Sequence, residues 1–409
     1  MNSTIKKNYL FLGFAIPQIE MTDTFERDKF PSIQTHKFNW NLIKGLEHHD
    51  KYNFTYISAR PVTDYPFFPK LKLKKNKWSV SLDDKKIEIL EIPYINSGIF
   101  KIFTRFFSAL FYSLTNYHSK NNKAGVIVYS VHIPYMIVGL LISKLYNIDY
   151  IAIWTDPPAV RTNVESSVKS KLRNIELYLS KLLMKKSTKI VSVTKFLAED
   201  FAPGKPYLVM EGIINQNEIN YSSQLDENRN DDLIRIVYTG SVNEKYGIKN
   251  IIDGFLSMQN KNAILEIYGR GDFENELEKI TNTNKNVIYK GFVPNSEIIL
   301  IQRKADFLIN ARSNNEEFVK YSFPSKTLEY MLSGTPLVTT MLIGIPQEYK
   351  EYLIILEDNM PITIGEKLDQ IVQYTNQERS LIGKKAREFA ETKNYIDQAK
   401  KIIDLLDTH

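Results

Sequence analysis

The sequence predicts an α/β protein made of two doubly wound domains, each a parallel sheet covered by helices. Three observations predict it. Short apolar runs of strand length alternate with longer amphipathic stretches through most of the chain. The alternation comes in two series, parted at 215–232 by a poorly periodic segment rich in Asn, Asp and Ser that reads as a linker. The 409 residues allow two or three domains.

In the first series the strand-like runs are 9–16, 54–59, 87–92, 126–131, 150–154 and 189–193, with helical stretches at 37–49, 99–118, 134–146 and 167–185. In the second the strands are 234–239, 264–268, 287–290, 306–310 and 337–340, and the helices 249–259, 274–280, 296–303 and 324–332. Segment 377–406 reads as one long charged helix or a helix pair. The predicted domains are therefore 1–214 and 233–389, and doubly wound sheets bind ligands beyond the carboxyl ends of their strands.

An apolar share of 43% supplies full cores and excludes a disordered chain. Cysteine is absent, which excludes disulfides, thiolate catalysis and cysteine metal sites. The opening residues carry two lysines and a short apolar run broken by Gly13 and Pro17, read as a first strand and not a signal peptide. No window reaches the roughly 20 apolar residues that span a bilayer. The formal net charge is +6. The basic run 70–77 reads as a solvated loop or face that could also meet anionic headgroups or an acidic acceptor. No helix-turn-helix, zinc-finger or RNP pattern supports nucleic-acid binding.

The most informative stretch is 310–340. A strand ends in a polar loop that reaches Ser322-Phe323-Pro324-Ser325-Lys326, where a helix is expected to start with Pro324 in its first turn. The free N–H groups of that turn suit an anion. Glu329 falls one turn on, on the face that leans back toward the loop, and Gly334-Thr335-Pro336 stops the helix. Backbone amides for a diphosphate and a carboxylate for ribose hydroxyls would suit a sugar nucleotide.

This stretch resembles the donor site of a large family of retaining glycosyltransferases, family 4, with two facing Rossmann-like domains (the GT-B architecture). Ser322 to Lys326 is similar to the FPSK variant of bacterial capsule and exopolysaccharide enzymes. Members carry two glutamates eight positions apart; Glu329 matches the second, and Tyr321 stands where the first would be. The resemblance is strong over about residues 234–340 and weaker over the N-terminal half. It implies that a terminal helix, about 390–409, returns onto the first domain.

The resemblance also assigns roles. Gly240 ends the strand 234–239 and is expected to turn the chain tightly. Lys245 matches the family lysine that balances the leaving diphosphate, while Ser241 replaces the usual arginine, so Arg312 and Lys326 become candidate substitutes. Gly269-Arg270-Gly271 resembles the turn beside the nucleotide. Gly291, Phe292 and Val293 would offer backbone groups to the base. His132 matches a histidine near the transferred sugar, or is a structural strand-end residue. Read from the residues themselves, Asp156 could orient an acceptor hydroxyl or stabilise positive sugar charge, or equally cap the helix that Pro157 and Pro158 allow to begin. Gly13 begins the loop that in the family lies by the acceptor and donor phosphates.

Stretch 99–112 is apolar around most of a helix, with Lys101 and Arg105 on one stripe, and is either a buried crossover helix or a membrane-surface helix. The resemblance implies transfer from a UDP-sugar to a saccharide or polyprenyl-diphosphate-linked acceptor, in the cytoplasm or at the inner membrane face. No cofactor and no metal are expected; the pairs Asp83-Asp84 and Asp231-Asp232 fall in polar, linker-like positions. Two competing readings remain open: a UDP-sugar epimerase on the same fold, and a catalytically silent partner of a true transferase, the latter motivated by Tyr321 and Ser241.

Overall fold

Strands buried on both faces need apolar side chains at every position, and the longest such runs do become central parallel strands. In the computed structural model, residues 6–82, 85–158, 167–215 and 233–408 are described. The chain divides into two compact units, Met1–Asn215 with Asn394–His409, and Gln216–Lys393. The expected linker 215–232 and both Asp-Asp pairs fall outside the described residues, apart from Asn215.

In the first unit the elements run β1 (Asn8–Gly13), α1 (Gln18–Arg27), α2 (Ile33–His48), β2 (Asn53–Ser58), β3 (Lys72–Leu73), β4 (Asn76–Leu82), β5 (Lys85–Glu91) and β6 (Tyr94–Ile95). They continue with α3 (Gly98–Tyr117), β7 (Lys123–Tyr129), α4 (Ile133–Tyr146), β8 (Asp149–Trp154), α5 (Ser167–Met184), β9 (Lys189–Ser192), α6 (Lys195–Phe201) and β10 (Tyr207–Val209). The sheet order is β10-β9-β8-β7-β1-β2-β5-β4. All neighbours are parallel except β4, which pairs antiparallel with β5 at the edge. The lysine run 70–77 therefore contributes to strands β3 and β4 and is not simply a loop. Charged residues suit such an edge, because they discourage pairing with another chain.

The stretch read as a crossover or surface helix is α3, and its phenylalanines are not in the core. Ile99, Phe100, Ile102, Phe103, Phe107 and Phe111 are each 51–63% exposed, whereas Arg105, Ala109, Ser113 and Tyr117 are buried. The inward stripe is small or polar because Arg105, Lys101 and Ser108 find hydrogen-bond partners beneath it, on Tyr94, Val62, Asp64 and Pro93.

The second unit runs β11 (Ile234–Thr239), α7 (Ile248–Ser257), β12 (Ala263–Tyr268), α8 (Glu274–Thr283), β13 (Val287–Gly291), α9 (Asn295–Lys304), β14 (Phe307–Asn310) and α10 (Ser325–Ser333). It ends with β15 (Leu337–Thr340), β16 (Ile354–Leu356), α11 (Pro361–Ile371) and α12 (Asn376–Glu391). The sheet is parallel, in the order β13-β12-β11-β14-β15-β16. Successive strand residues face opposite sides. Ile236 and Tyr238 join a core with Ile251, Phe255 and Leu368, while Val237 joins a second core with Leu328, Met331 and Ala386. Segment 377–406 proves to be two helices, α12 and α13 (Tyr395–Asp407). Helix α13 belongs to the first unit and packs on α2 so closely that a methyl group on Gly45 would stand 2.1 Å from the Tyr395 carbonyl oxygen.

Candidate functional site

Strand order alone marks one crevice in each unit. Where order reverses, the loops leaving two neighbouring strands diverge and open a site at their carboxyl ends. In the second unit that point lies between β11 and β14; in the first, between β1 and β7.

The β11 loop packs on its neighbours backbone to backbone. A Cβ at Gly247 (φ 85°) would stand 1.9 Å from the Ala311 carbonyl oxygen, and one at Gly269 (φ 142°) 1.7 Å from that of Gly240. Glycine is obligatory at those two positions. Gly240 itself does not take a positive φ; what it supplies is an N–H to Tyr268 (2.9 Å) and the carbonyl that Gly269 crosses. Ser241 is exposed, with its carbonyl taken by the Tyr238 hydroxyl (2.8 Å). The Gly291 carbonyl, expected to be open to a base, accepts from the Gly269 N–H (2.8 Å). Phe292 is 61% exposed, with the Arg270 guanidinium 4.9 Å from its ring centre, and Val293 packs on the core.

Two cations meet at the switch point. Lys245 lies in the 3₁₀ turn Glu244–Tyr246 after β11, its ammonium 5.0 Å from the centre of the Tyr246 ring. Arg312 follows β14, its guanidinium 4.6 Å from the same ring. Neither pairs with a carboxylate among the described residues, and the buried Nε of Arg312 has no hydrogen-bond partner.

Helix α10 starts at Ser325, so Pro324 is its N-cap and not a residue of its first turn. The N-cap side chain of a proline accepts nothing, which leaves Ser325 exposed at an uncapped helix start. Tyr321 closes the 3₁₀ turn Glu317–Tyr321 and carries the Lys320 ammonium 4.7 Å from its ring centre. The Ser322 carbonyl lies against Gly344, where a methyl group would stand 2.3 Å away. Phe323 packs on Tyr349, 5.4 Å between ring centres, so its ring serves the core and does not project toward a ligand.

Lys326 departs most from expectation. Its ammonium donates to both oxygens of Glu329, at 2.8 and 3.0 Å, because residues three apart share a helix face. This contact engages it with the carboxylate of its own helix. The Gln302 amide also donates to Glu329 Oε1 (2.7 Å) and to Thr239 Oγ1 (2.8 Å). Thr239 gives its N–H to the Tyr330 hydroxyl (3.0 Å). Gln302 is fully buried and its own Oε1 has no partner. This network ties the end of β11 to α9 and α10, and the sequence reading missed Gln302 and Tyr330. A lone glutamine beside Ile298 and Ile301 on an inward helix face was the available signal.

At the other switch point, Gly13 closes β1 with no room for a side chain: a Cβ would stand 2.8 Å from the Asn39 amide nitrogen. His132 follows β7 at the N-cap of α4, between the rings of Phe14 (5.1 Å) and Tyr135 (4.7 Å). Burial holds its imidazole well below the usual range, and Arg105 and Lys101 push the same way. The neutral ring keeps a buried Nδ1 with no hydrogen-bond partner. Asp156 is exposed after β8 and accepts from the Thr155 hydroxyl (2.9 Å). The helix it was expected to cap would begin in 159–166, outside the described residues.

Residues 223–389 match the family model of glycosyl transferases group 1. The second unit thus resembles group 1 glycosyltransferases. The match lies within the second unit, which holds Lys245, Arg312 and Glu329. No curated protein matches the sequence. Among solved structures, sucrose-phosphate synthase from Thermosynechococcus elongatus is similar over 98% of both chains, with 12% identity and a TM-score of 0.64. The Anabaena protein Alr3699/HepE in complex with UDP shares 11% identity over 98% of this chain and 99% of its own (TM-score 0.59). WaaG, a glycosyltransferase involved in lipopolysaccharide biosynthesis, shares 13% over 98% and 100% (TM-score 0.57). These likenesses establish the GT-B glycosyltransferase fold.

Proposed function

We propose that this protein transfers a sugar, with retention and without a metal, from a UDP-sugar to a saccharide or polyprenyl-diphosphate-linked saccharide. The observation that carries the reading is the meeting of Lys245 and Arg312 on Tyr246, two cations without carboxylate partners among the described residues, at the switch point of a unit that resembles group 1 glycosyltransferases. A departing diphosphate gains negative charge as the glycosidic bond breaks, and fixed cations stabilise that state most. Arg312 takes the place of the arginine missing at Ser241. Glu329, held by Lys326 and Gln302, is fixed to accept from ribose hydroxyls. Lys326 acts through Glu329.

The setting we assign is cell-surface polysaccharide synthesis, capsule or exopolysaccharide, in the cytoplasm at the inner face of the membrane. No helix of the described residues is long and apolar enough to cross a membrane. The exposed phenylalanine face of α3 supports peripheral contact instead, since aromatic and aliphatic side chains insert at the headgroup boundary. The likeness to WaaG supports a cell-surface glycan. The test is the purified protein with UDP-, GDP- and dTDP-sugars and membrane extract, with and without EDTA, reading released nucleotide and labelled glycolipid. UDP release that depends on extract and survives EDTA is expected. Release requiring added Mn²⁺ or Mg²⁺ would refute metal independence, and UDP loss without any acceptor would favour the epimerase.

A further inference from the structure

Arg105 is 7% exposed, and among the described residues no carboxylate lies within ion-pair distance of it. A guanidinium stays charged, and a buried charge is costly unless it is paired. The carboxylates on neighbouring elements are engaged elsewhere. Glu91 holds Arg60 (2.8 Å) and the Trp78 indole (2.8 Å), Asp64 holds Lys101 (2.7 Å), and Asp28 accepts the N–H groups of Phe30 (3.1 Å) and Thr63 (2.8 Å). Arg105 makes do with the Tyr94 hydroxyl (2.9 Å) and the Arg60 carbonyl (3.2 Å), and its buried Nε has no partner.

The surroundings repeat this pattern. The Arg105 guanidinium lies 5.6 Å from the centre of the Phe14 ring, and Phe14 in turn touches His132 and Tyr135. His132 Nδ1 and the Tyr135 hydroxyl are buried without partners. Buried polar groups in folded proteins are nearly always satisfied, so several orphans in one place mark a missing partner. Arg105 of α3, His132 before α4 and Tyr135 of α4 meet around Phe14, which follows β1, where β1 and β7 part at the ligand-binding edge of the sheet.

We propose that this cluster is an anion site, built by Arg105 with His132 and Tyr135, and that its ligand is a phosphoryl or diphosphoryl group of the acceptor. The anion site stands on these side chains alone; assigning its ligand to the acceptor rests on the transferase reading. A soluble sugar phosphate and a lipid diphosphate share this chemistry.

The test uses the full chain with UDP saturating the second unit. Inorganic pyrophosphate and geranyl diphosphate are titrated calorimetrically into wild type, Arg105→Met and Arg105→Lys. Wild type should bind at least one probe, Arg105→Met should bind it at least ten-fold more weakly, and Arg105→Lys should fall between. UDP affinity should be equal in all three. An anion at the site should also move the His132 titration, followed by NMR, to higher pH. Equal affinity for the two probes points to a soluble phosphate, and preference for geranyl diphosphate to a lipid one. If Arg105→Met binds the probes as wild type does, or if wild type binds neither, the site is overturned and Arg105 is a stacking partner of Tyr94 only. Should Arg105→Met fail to fold, unchanged probe binding by Arg105→Lys refutes the proposal in the same way. Loss of UDP binding by wild type would instead overturn the transferase reading while leaving the dependence on Arg105 measurable.

Discussion

Replacing Glu329 by alanine separates what this carboxylate does for the fold from what it does for the ligand. Its pairing with Lys326 is a partly exposed contact within one helix, worth about 0.3–0.5 kcal/mol. Its bond from Gln302 is different. The amide is buried, and losing an acceptor there costs about 1–3 kcal/mol. Gln302 still donates to Thr239, which keeps the loss toward the lower figure. The expected destabilisation is about 1–2 kcal/mol, small beside the roughly 5–15 kcal/mol of a typical domain, so the variant folds. For UDP, hydrogen bonds from ribose to a carboxylate contribute about 1.5–3 kcal/mol, which corresponds to a roughly 10- to 100-fold rise in Kd. Urea unfolding followed by far-UV circular dichroism measures the first quantity, and calorimetric UDP titration the second. A folded variant that binds UDP like wild type would remove Glu329 from the donor site and leave the network with Gln302 a purely structural brace.

Neutralising Lys245 or Arg312 should lower kcat by about 10²–10³ while changing KM for donor less, and the double variant should be non-additive because both cations serve one diphosphate; wild-type kcat in either single variant refutes the assignment. The depressed pKa of His132 means that the unfolded chain takes up a proton near pH 6.5 before the folded one does, so stability is full above about 6.5 and falls as pH drops toward the folded value. His132→Asn should flatten that acid limb in melts between about pH 7 and 5, and an unchanged slope would show that other groups control it. Phe103→Glu with Phe107→Glu should abolish pelleting with anionic liposomes, and added salt should weaken it in wild type; wild type that stays in the supernatant at low salt would remove the bilayer as the partner of α3.

Most of the second unit was legible in its sequence. Its central strands are largely buried, so the β-branched and aromatic residues of Ile234–Thr239 and Leu337–Thr340 read as strands. The contact between Lys326 and Glu329 was missed although helix geometry offers it: both were placed near one ligand, and residues three apart also share a helix face. The orientation of α3 was not legible, because a helix apolar on most sides has no pattern to choose its inward face. Its buried partners, Tyr94 and Val62, are set by the chain's path, and so is the contact between Gln302 and Thr239, 63 positions apart. The short edge strands β3 and β4 went unrecognised because their lysines resemble those of a solvated loop.

The return of α13 onto α2 sets an order of events during synthesis. The groove beside Gly45 is shaped for a helix that the ribosome makes only after the whole of the second unit. Residues 6–215 must therefore wait, with part of that surface uncovered, while the second unit emerges and completes its own core. Chaperones that shield apolar surface would find their substrate in this interval, and a stop codon anywhere beyond residue 393 but before α13 is complete would leave the second unit whole and the first unfinished.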